Sequence, residues 1–345
     1  MQPVASPITA EADDAVPPGI DPLALSLNEN PFPPLPAVRS VLVKSIDAAN
    51  RYPEFLPERL RNLIAGRIGV SADQVVLGGG ATGVVLQALR ALTVPGDAMV
   101  MATPTFDGYP IVAQMARLNA LTVPLDKGGH NDLDRLADAA TGARIVVVCR
   151  PHNPTGTLEP VTHLLRFLRR IHRETIVLLD EAYIEFAAPE HHIDVAALVR
   201  RFPNVVVVRT FSKAYGLAGL RIGYGVAGAE LAATMWTQQL PFGIAMTSLP
   251  AVVASYNAED ELLQRIRLIT SERRYLRMRL SAMGIYTTDA HANFMYLPSR
   301  GGRGREWREF FADSELRVRC YPDGGARITV GSRASTLAVL SAVSK

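Results

Sequence analysis

The sequence predicts an α/β fold: a mostly parallel sheet flanked by helices, with a smaller α+β domain at the C-terminal end. Three observations carry this reading. The short apolar runs Ile145 to Cys149, Ile176 to Leu179 and Val205 to Val208 are rich in β-branched residues and have the length of strands buried on both faces. Such runs alternate with helical periodicity from about residue 40 to 245, the pattern of strand–helix–strand units. The chain has 345 residues, 48% of them apolar, so it can bury a sizeable core and is long for a single domain. The expected division is an arm over residues 1–36, a large domain over 37–245 and a small domain over 246–345.

Residues 1–21 are rich in proline, alanine and acidic side chains, and this arm is expected to be mobile at its tip. Leu25-Ser26-Leu27-Asn28-Glu29-Asn30-Pro31 runs into prolines at 33, 34 and 36, which make an extended connector. Ala37 to Ala48 has a helical period, and Arg51-Tyr52-Pro53 after it is a turn signal. Leu60 to Ile68 is a second helix. Val75 to Leu77 reads as a strand, then Gly78-Gly79-Gly80-Ala81-Thr82-Gly83 opens an apolar helix that runs through Leu92. A strand, a glycine turn and a helix N-terminus form an anion site, because free N–H groups and the helix dipole point at the turn. The glycine spacing matches neither a dinucleotide fingerprint nor a P-loop.

Ala98 to Ala102 is the next strand, followed by Pro104-Thr105-Phe106 and Tyr109; taken alone, Phe106 reads as a core residue. Leu121 to Leu125 and Ile145 to Cys149 are further strands. The second leads into Arg150-Pro151-His152-Asn153-Pro154-Thr155-Gly156, where the prolines and Gly156 fix a turn that presents Asn153. Ile176 to Leu179 ends in Asp180-Glu181-Ala182-Tyr183-Ile184-Glu185-Phe186, and a carboxylate at the end of a buried strand is costly unless paired. Val205 to Val208 leads into Thr210-Phe211-Ser212-Lys213-Ala214-Tyr215-Gly216-Leu217-Ala218-Gly219-Leu220-Arg221-Ile222-Gly223-Tyr224. Lys213 thus sits just beyond the carboxyl end of a strand, where open α/β sheets place their ligands. A lysine held there is suited to form a Schiff base, and the Thr210 and Ser212 hydroxyls and the Arg221 guanidinium suit a phosphate beside it. A helix is expected around Ala229 to Gln239. Glu259 to Met283 reads as one long amphipathic helix linking the two domains, and Ala292 to Leu297 as the first strand of the small one.

Composition excludes several classes. Lys and Arg number 36 against 33 Asp and Glu, an excess too small to suggest a nucleic-acid partner. The basic runs Arg169 to Arg173 and Arg273 to Arg279 carry interleaved apolar residues and read as solvated helix faces. The two cysteines, Cys149 and Cys320, form no CxxC or Cys/His cluster, so neither a disulfide framework nor a metal site is expected. No apolar run is long enough to span a bilayer, and no basic-then-apolar leader is visible, so the expected location is the cytoplasm.

The lysine motif resembles that of the fold type I pyridoxal-phosphate aminotransferases (class I/II), in particular the histidinol-phosphate and aromatic amino acid branch. "NENP" at 28–31, "RYP" at 51–53, "NPTG" at 153–156, "DEAY" at 180–183 and "SKAYGLAGLRIGY" at 212–224 all match that branch, over roughly residues 25 to 333. The resemblance implies pyridoxal 5'-phosphate bound to Lys213. Asp180 would meet its ring nitrogen, and Asn153 and Tyr183 its 3'-oxygen. Phe106 would stack on the ring, and Gly80, Ala81, Thr82, Thr210, Ser212 and Arg221 would surround the phosphate. Relatives usually carry Asp or Ser where Thr82 stands. Tyr52 would reach the phosphate of a neighbouring subunit, which implies a homodimer with shared sites. The segments Leu316 to Tyr321 and Gly325 to Gly331 resemble the family's last pair of strands, on which two arginines, matching Arg319 and Arg327, face the substrate's anion. Asn28 and Tyr109 would shape the rest of the substrate pocket, and Lys213, Asp180 and Tyr183 would carry the chemistry.

The implied reaction moves an amino group from an aromatic amino acid or histidinol phosphate to 2-oxoglutarate. Its partners are a small-molecule amino donor and a 2-oxo acid acceptor, with no nucleic acid, membrane or metal. Another enzyme of the same fold, such as a threonine-phosphate-type decarboxylase or a specialised amino-acid biosynthetic enzyme, is the alternative. The unbroken lysine motif favours the aminotransferase. A ligand-sensing regulator on this fold would need an attached DNA-binding domain, for which the stretch before the motifs leaves no room. Histidinol-phosphate enzymes usually carry a tyrosine before "NENP"; here Val16-Pro17-Pro18-Gly19-Ile20 has none, which turns the expectation toward an aromatic or related amino acid.

Overall fold

A computed structural model describes residues 19–301 and 306–344. The tip of the N-terminal arm, including Val16 to Pro18, lies outside the described residues.

Seven strands form the main sheet: β1 (Val75–Gly79), β2 (Ala98–Thr103), β3 (Asn119–Pro124), β4 (Ile145–Cys149), β5 (Ile176–Asp180), β6 (Val205–Thr210) and β7 (Ile222–Val226), in the order β1-β7-β6-β5-β4-β2-β3. β2, β3, β4, β5 and β6 pair in parallel, whereas β7 runs antiparallel to both of its neighbours. The expected strands are all present, and β4 and β5 are buried along their whole length, as unbroken apolar runs require. Helices cover both faces, so the core divides into two layers, one led by Val177, Leu179, Val205 and Val207 and the other by Leu178, Val206 and Val208.

β7 was not anticipated as a strand, because its alternating glycines read as part of the lysine motif. Both glycines have a packing reason. A Cβ on Gly223 would stand 2.3 Å from the Gly80 carbonyl carbon, and one on Gly225 would stand 2.9 Å from Val76 and Val84. Only a strand without side chains there lets the helix Gly80–Leu92 approach so closely.

The long helix Glu259–Ala282 follows Ser248–Asn257, and a second sheet of β8 (Phe294–Leu297), β9 (Arg319–Cys320) and β10 (Ala326–Thr329) has the order β8-β10-β9, all antiparallel. One expectation is corrected. Arg273 is not on a solvated face: it lies on the same helical stripe as Leu262, Ile266, Ile269, Leu276 and Leu280, is buried, and donates to the Ala292 carbonyl at 2.5 Å. In the Arg169 to Arg173 run the basic side chains are exposed as read, while Ile171 between them is buried.

Candidate active site

The carboxyl ends of β4, β5 and β6 open onto a cavity of about 320 Å³, the place where a parallel sheet leaves its loops free to hold a ligand. Asn153, Asp180, Tyr183, Lys213, Arg221 and Arg327, drawn from separate stretches, all line it. A larger, shallower groove lies elsewhere, lined by Arg144, Arg173 and Glu230, and none of the expected site residues reaches it.

Lys213 follows the last residue of β6 by three positions, and its Nζ donates to the carbonyls of Leu27 (2.9 Å) and Asn28 (3.2 Å). Burial, with the nearby Arg327 and Arg221, lowers its pKa to about 8, against the pull of Glu29 and Asp180. Asp180 ends β5 and is buried. Burial raises its pKa; the Ala182 N–H at 2.9 Å and the Tyr109 hydroxyl donate to its two oxygens and offset part of that rise. Tyr109 lines the cavity but is buried, and its hydroxyl donates to the Asp180 carboxylate.

At the other end of the cavity, β1 runs directly into the helix Gly80–Leu92, whose N-terminus has no side-chain cap. The Gly80 N–H bonds the Arg221 carbonyl at 3.1 Å, while Ala81 and Thr82, whose N–H groups have no acceptor within the helix, line the cavity. Gly80 has φ +75°, and a Cβ there would meet the Arg221 guanidinium at 2.3 Å. Arg221 Nη1 lies 3.3 Å from Ser212 Oγ, which in turn stands 3.0 Å from Thr210 Oγ1. Uncapped amides, two hydroxyls and a guanidinium thus converge on one corner, a donor set that suits a phosphate.

Between these ends, the Tyr183 hydroxyl receives Asn28 Nδ2 at 2.9 Å and Asn153 Nδ2 at 3.5 Å, and burial raises its pKa. Asn28 takes a left-handed backbone (φ 56°) and its N–H is tied to Thr329 on β10 at 2.9 Å. Arg327 donates to Asn153 Oδ1 and to the Ser26 carbonyl, both at 2.5 Å, while its buried Nε has no partner among the described residues. Phe106 lines the wall, edge-on to Tyr109 with centroids 5.4 Å apart. Three expected residues do not line the cavity: Gly80, just before the lining residues Ala81 and Thr82, and also Arg319 and Tyr52. Arg319 points at its rim and pairs with Asp107 at 3.0 Å. Tyr52 is 85% exposed and stacks on Phe242, away from the cavity.

The sequence reading also missed residues. Asn30 donates to the Lys213 and Ala214 carbonyls, and Asn293 to the Asn28 carbonyl at 3.0 Å; together they strap the 25–30 segment between the lysine loop and the second sheet. Asn30 stood inside a recognised motif, but nothing local marked Asn293. Among the described residues no side-chain cluster suits a metal, and no helix is long and apolar enough to cross a membrane.

Residues 20–330 match the profile of the family described as aminotransferase class I and II. The chain belongs to the class I and II aminotransferases. It is 40% identical over 308 residues to the aromatic amino acid aminotransferase of Streptomyces avermitilis, covering 89% of this chain and 86% of that protein. The aromatic amino acid aminotransferase of Cutibacterium acnes is 36% identical over 328 residues, 95% of this chain and 93% of its own. Among solved structures, histidinol-phosphate aminotransferase from Sinorhizobium meliloti in complex with pyridoxal-5'-phosphate shares the fold with a TM-score of 0.85, at 24% identity over 93% of this chain and 89% of that one. L-threonine-O-3-phosphate decarboxylase from Porphyromonas gingivalis also shares it (TM-score 0.76, 23% identity, 89% and 96% covered), so fold alone does not separate the two reactions. This aminotransferase family depends on pyridoxal phosphate. The donor corner at Gly80 and Arg221, the buried Asp180 and the Lys213 amine between them fit that group in charge and order.

Proposed function

We propose that this aminotransferase moves the amino group of an aromatic amino acid to 2-oxoglutarate, with pyridoxal 5'-phosphate held by Lys213, as a homodimer. The observation that carries the reaction is the meeting of Lys213, Asp180 and Arg327 at one cavity from three distant stretches. The donor class is supported by the two relatives named for it and by an apolar wall that includes Leu27 and Phe106.

Pyridoxal phosphate, when bound, supplies an electron sink for the pair released as the donor's Cα–H bond breaks. Arg221, Ser212, Thr210, Thr82 and the first amides of the helix Gly80–Leu92 would hold its phosphate. Asp180 would hold the proton of the ring nitrogen, Asn153 and Tyr183 would bond the 3'-oxygen, and Phe106 would pack on the ring. The Lys213 amine would take the proton from the donor's Cα as general base and then give it up as general acid. An amine pulled down to about 8 is suited to both roles near neutral pH. Arg327 holds the carboxylate common to donor and acceptor, and its unpartnered Nε is a donor still available for it.

A donor screen with 2-oxoglutarate as acceptor tests the reading. Phenylalanine, tyrosine or tryptophan is expected to give the highest kcat/KM. Turnover of histidinol phosphate with none of the three aromatic amino acids would overturn the donor class.

A further inference from the structure

Arg319 on β9 and Arg327 on β10 are directly opposed in antiparallel register, so their side chains leave the sheet on the same face. Arg327 turns into the cavity. Arg319 stops at the rim, where its Nη2 lies 3.0 Å from Asp107 Oδ2. Asp107 itself lines the cavity, between Phe106 and Tyr109 in the chain. It occupies the N-cap position of the helix Gly108–Met115, where an aspartate ordinarily accepts a backbone N–H, yet its side chain makes no capping bond. Its carboxylate faces the arginine instead.

The charge consequence is simple. Two guanidiniums on one face present two positive charges to an entering anion and match a dianionic phosphate ester. With Asp107 paired to Arg319, the net charge of this corner falls to one, that of Arg327. We propose that Asp107 is a specificity-determining residue that sets the donor's charge class: the subsite takes the single carboxylate of an amino acid and disfavours an amino-alcohol phosphate. A phosphate reaching for Arg319 must break the ion pair and then sit beside an unpaired carboxylate, a repulsive element against the wrong substrate. Asp107 acts through Arg319 and needs no contact with the donor. The inference rests on the amino-acid reading given above.

The test uses the holoenzyme and the ratio of kcat/KM for histidinol phosphate to that for phenylalanine, both with 2-oxoglutarate. Asp107→Asn frees Arg319 and is expected to raise the ratio roughly five- to tenfold, the scale of a half-exposed ion pair plus the repulsion removed. Arg319→Gln in the same background should abolish most of that gain. A ratio unmoved within twofold by Asp107→Asn would overturn the inference, and so would an equal gain with or without Arg319. A wild type that already prefers histidinol phosphate overturns the amino-acid reading itself, a result distinct from an unmoved ratio in an enzyme that prefers phenylalanine.

Discussion

In the proposed reaction the Asp180 carboxylate works ionised, in a place that opposes ionisation. Burial raises its pKa, and the hydrogen bonds from Tyr109 and Ala182 pull it back. Removing the Tyr109 hydroxyl leaves one carboxylate oxygen unpaired, so the pKa rises further and less Asp180 is ionised at any given pH. Tyr109→Phe is therefore expected to move the acidic limb of the kcat/KM profile to higher pH, and to lower kcat roughly ten- to a hundredfold, the worth of a hydrogen bond to a buried charge. A rate loss with an unshifted limb would assign Tyr109 to packing alone. The same residue marks the limit of sequence reading at this scale. Lys213, Arg221, Asn153 and Asp180 were legible because each stands in a short motif whose neighbours carry the signal. The bond from Tyr109 to Asp180 was not legible, because the two residues lie 71 positions apart and no local pattern joins them. The Asp107–Arg319 pair escaped notice for the same reason.

Elements were legible where one face or both faces are uniformly apolar, as in β4 and β5. They were lost where glycine replaces the pattern. β7 carries Gly223 and Gly225 at the positions that face the helix Gly80–Leu92, so its alternation records an absence of side chains rather than a core face. The helix Ser248–Asn257 was likewise missed, with Pro250 breaking its apparent period although a proline fits the first turn of a helix. The close approach at β7 can be measured. In Gly223→Ala the new Cβ meets the backbone of Gly80 and Ala81 at 2.3 and 2.4 Å, and backbone cannot rotate aside. A loss of about 1–3 kcal/mol is expected, or more if the strand shifts. Gly66→Ala is the matched control: it lies within the helix Glu58–Ile68 with nothing within 4 Å of the added methyl. That change is expected to stabilise by up to about 1 kcal/mol. Urea midpoints at one fixed protein concentration would compare them, and equal stability of the two variants would refute the packing account of β7.

At the scale of the whole molecule, the cavity holds nearly every residue its chemistry calls for except Tyr52, which stands 85% exposed beside Phe55 and Phe242. Three aromatic rings in contact, with Leu240 also exposed, form an apolar surface that a second subunit would bury. If the partner's Tyr52 completes each site, two inactive variants can repair each other. Tyr52→Ala keeps Lys213, and Lys213→Ala keeps Tyr52. Each hybrid dimer then contains one site with an intact lysine from one chain and an intact tyrosine from the other, and one site lacking both. Random reassortment makes about half of the dimers hybrid, so about a quarter of the sites regain function. Activity near that fraction of wild type is expected after the two variants are mixed under conditions that exchange subunits, and none should return when either is incubated alone. Full activity of Tyr52→Ala by itself would remove the tyrosine from the site. A mixture that exchanges subunits by mass yet stays inactive would confine each site to a single chain.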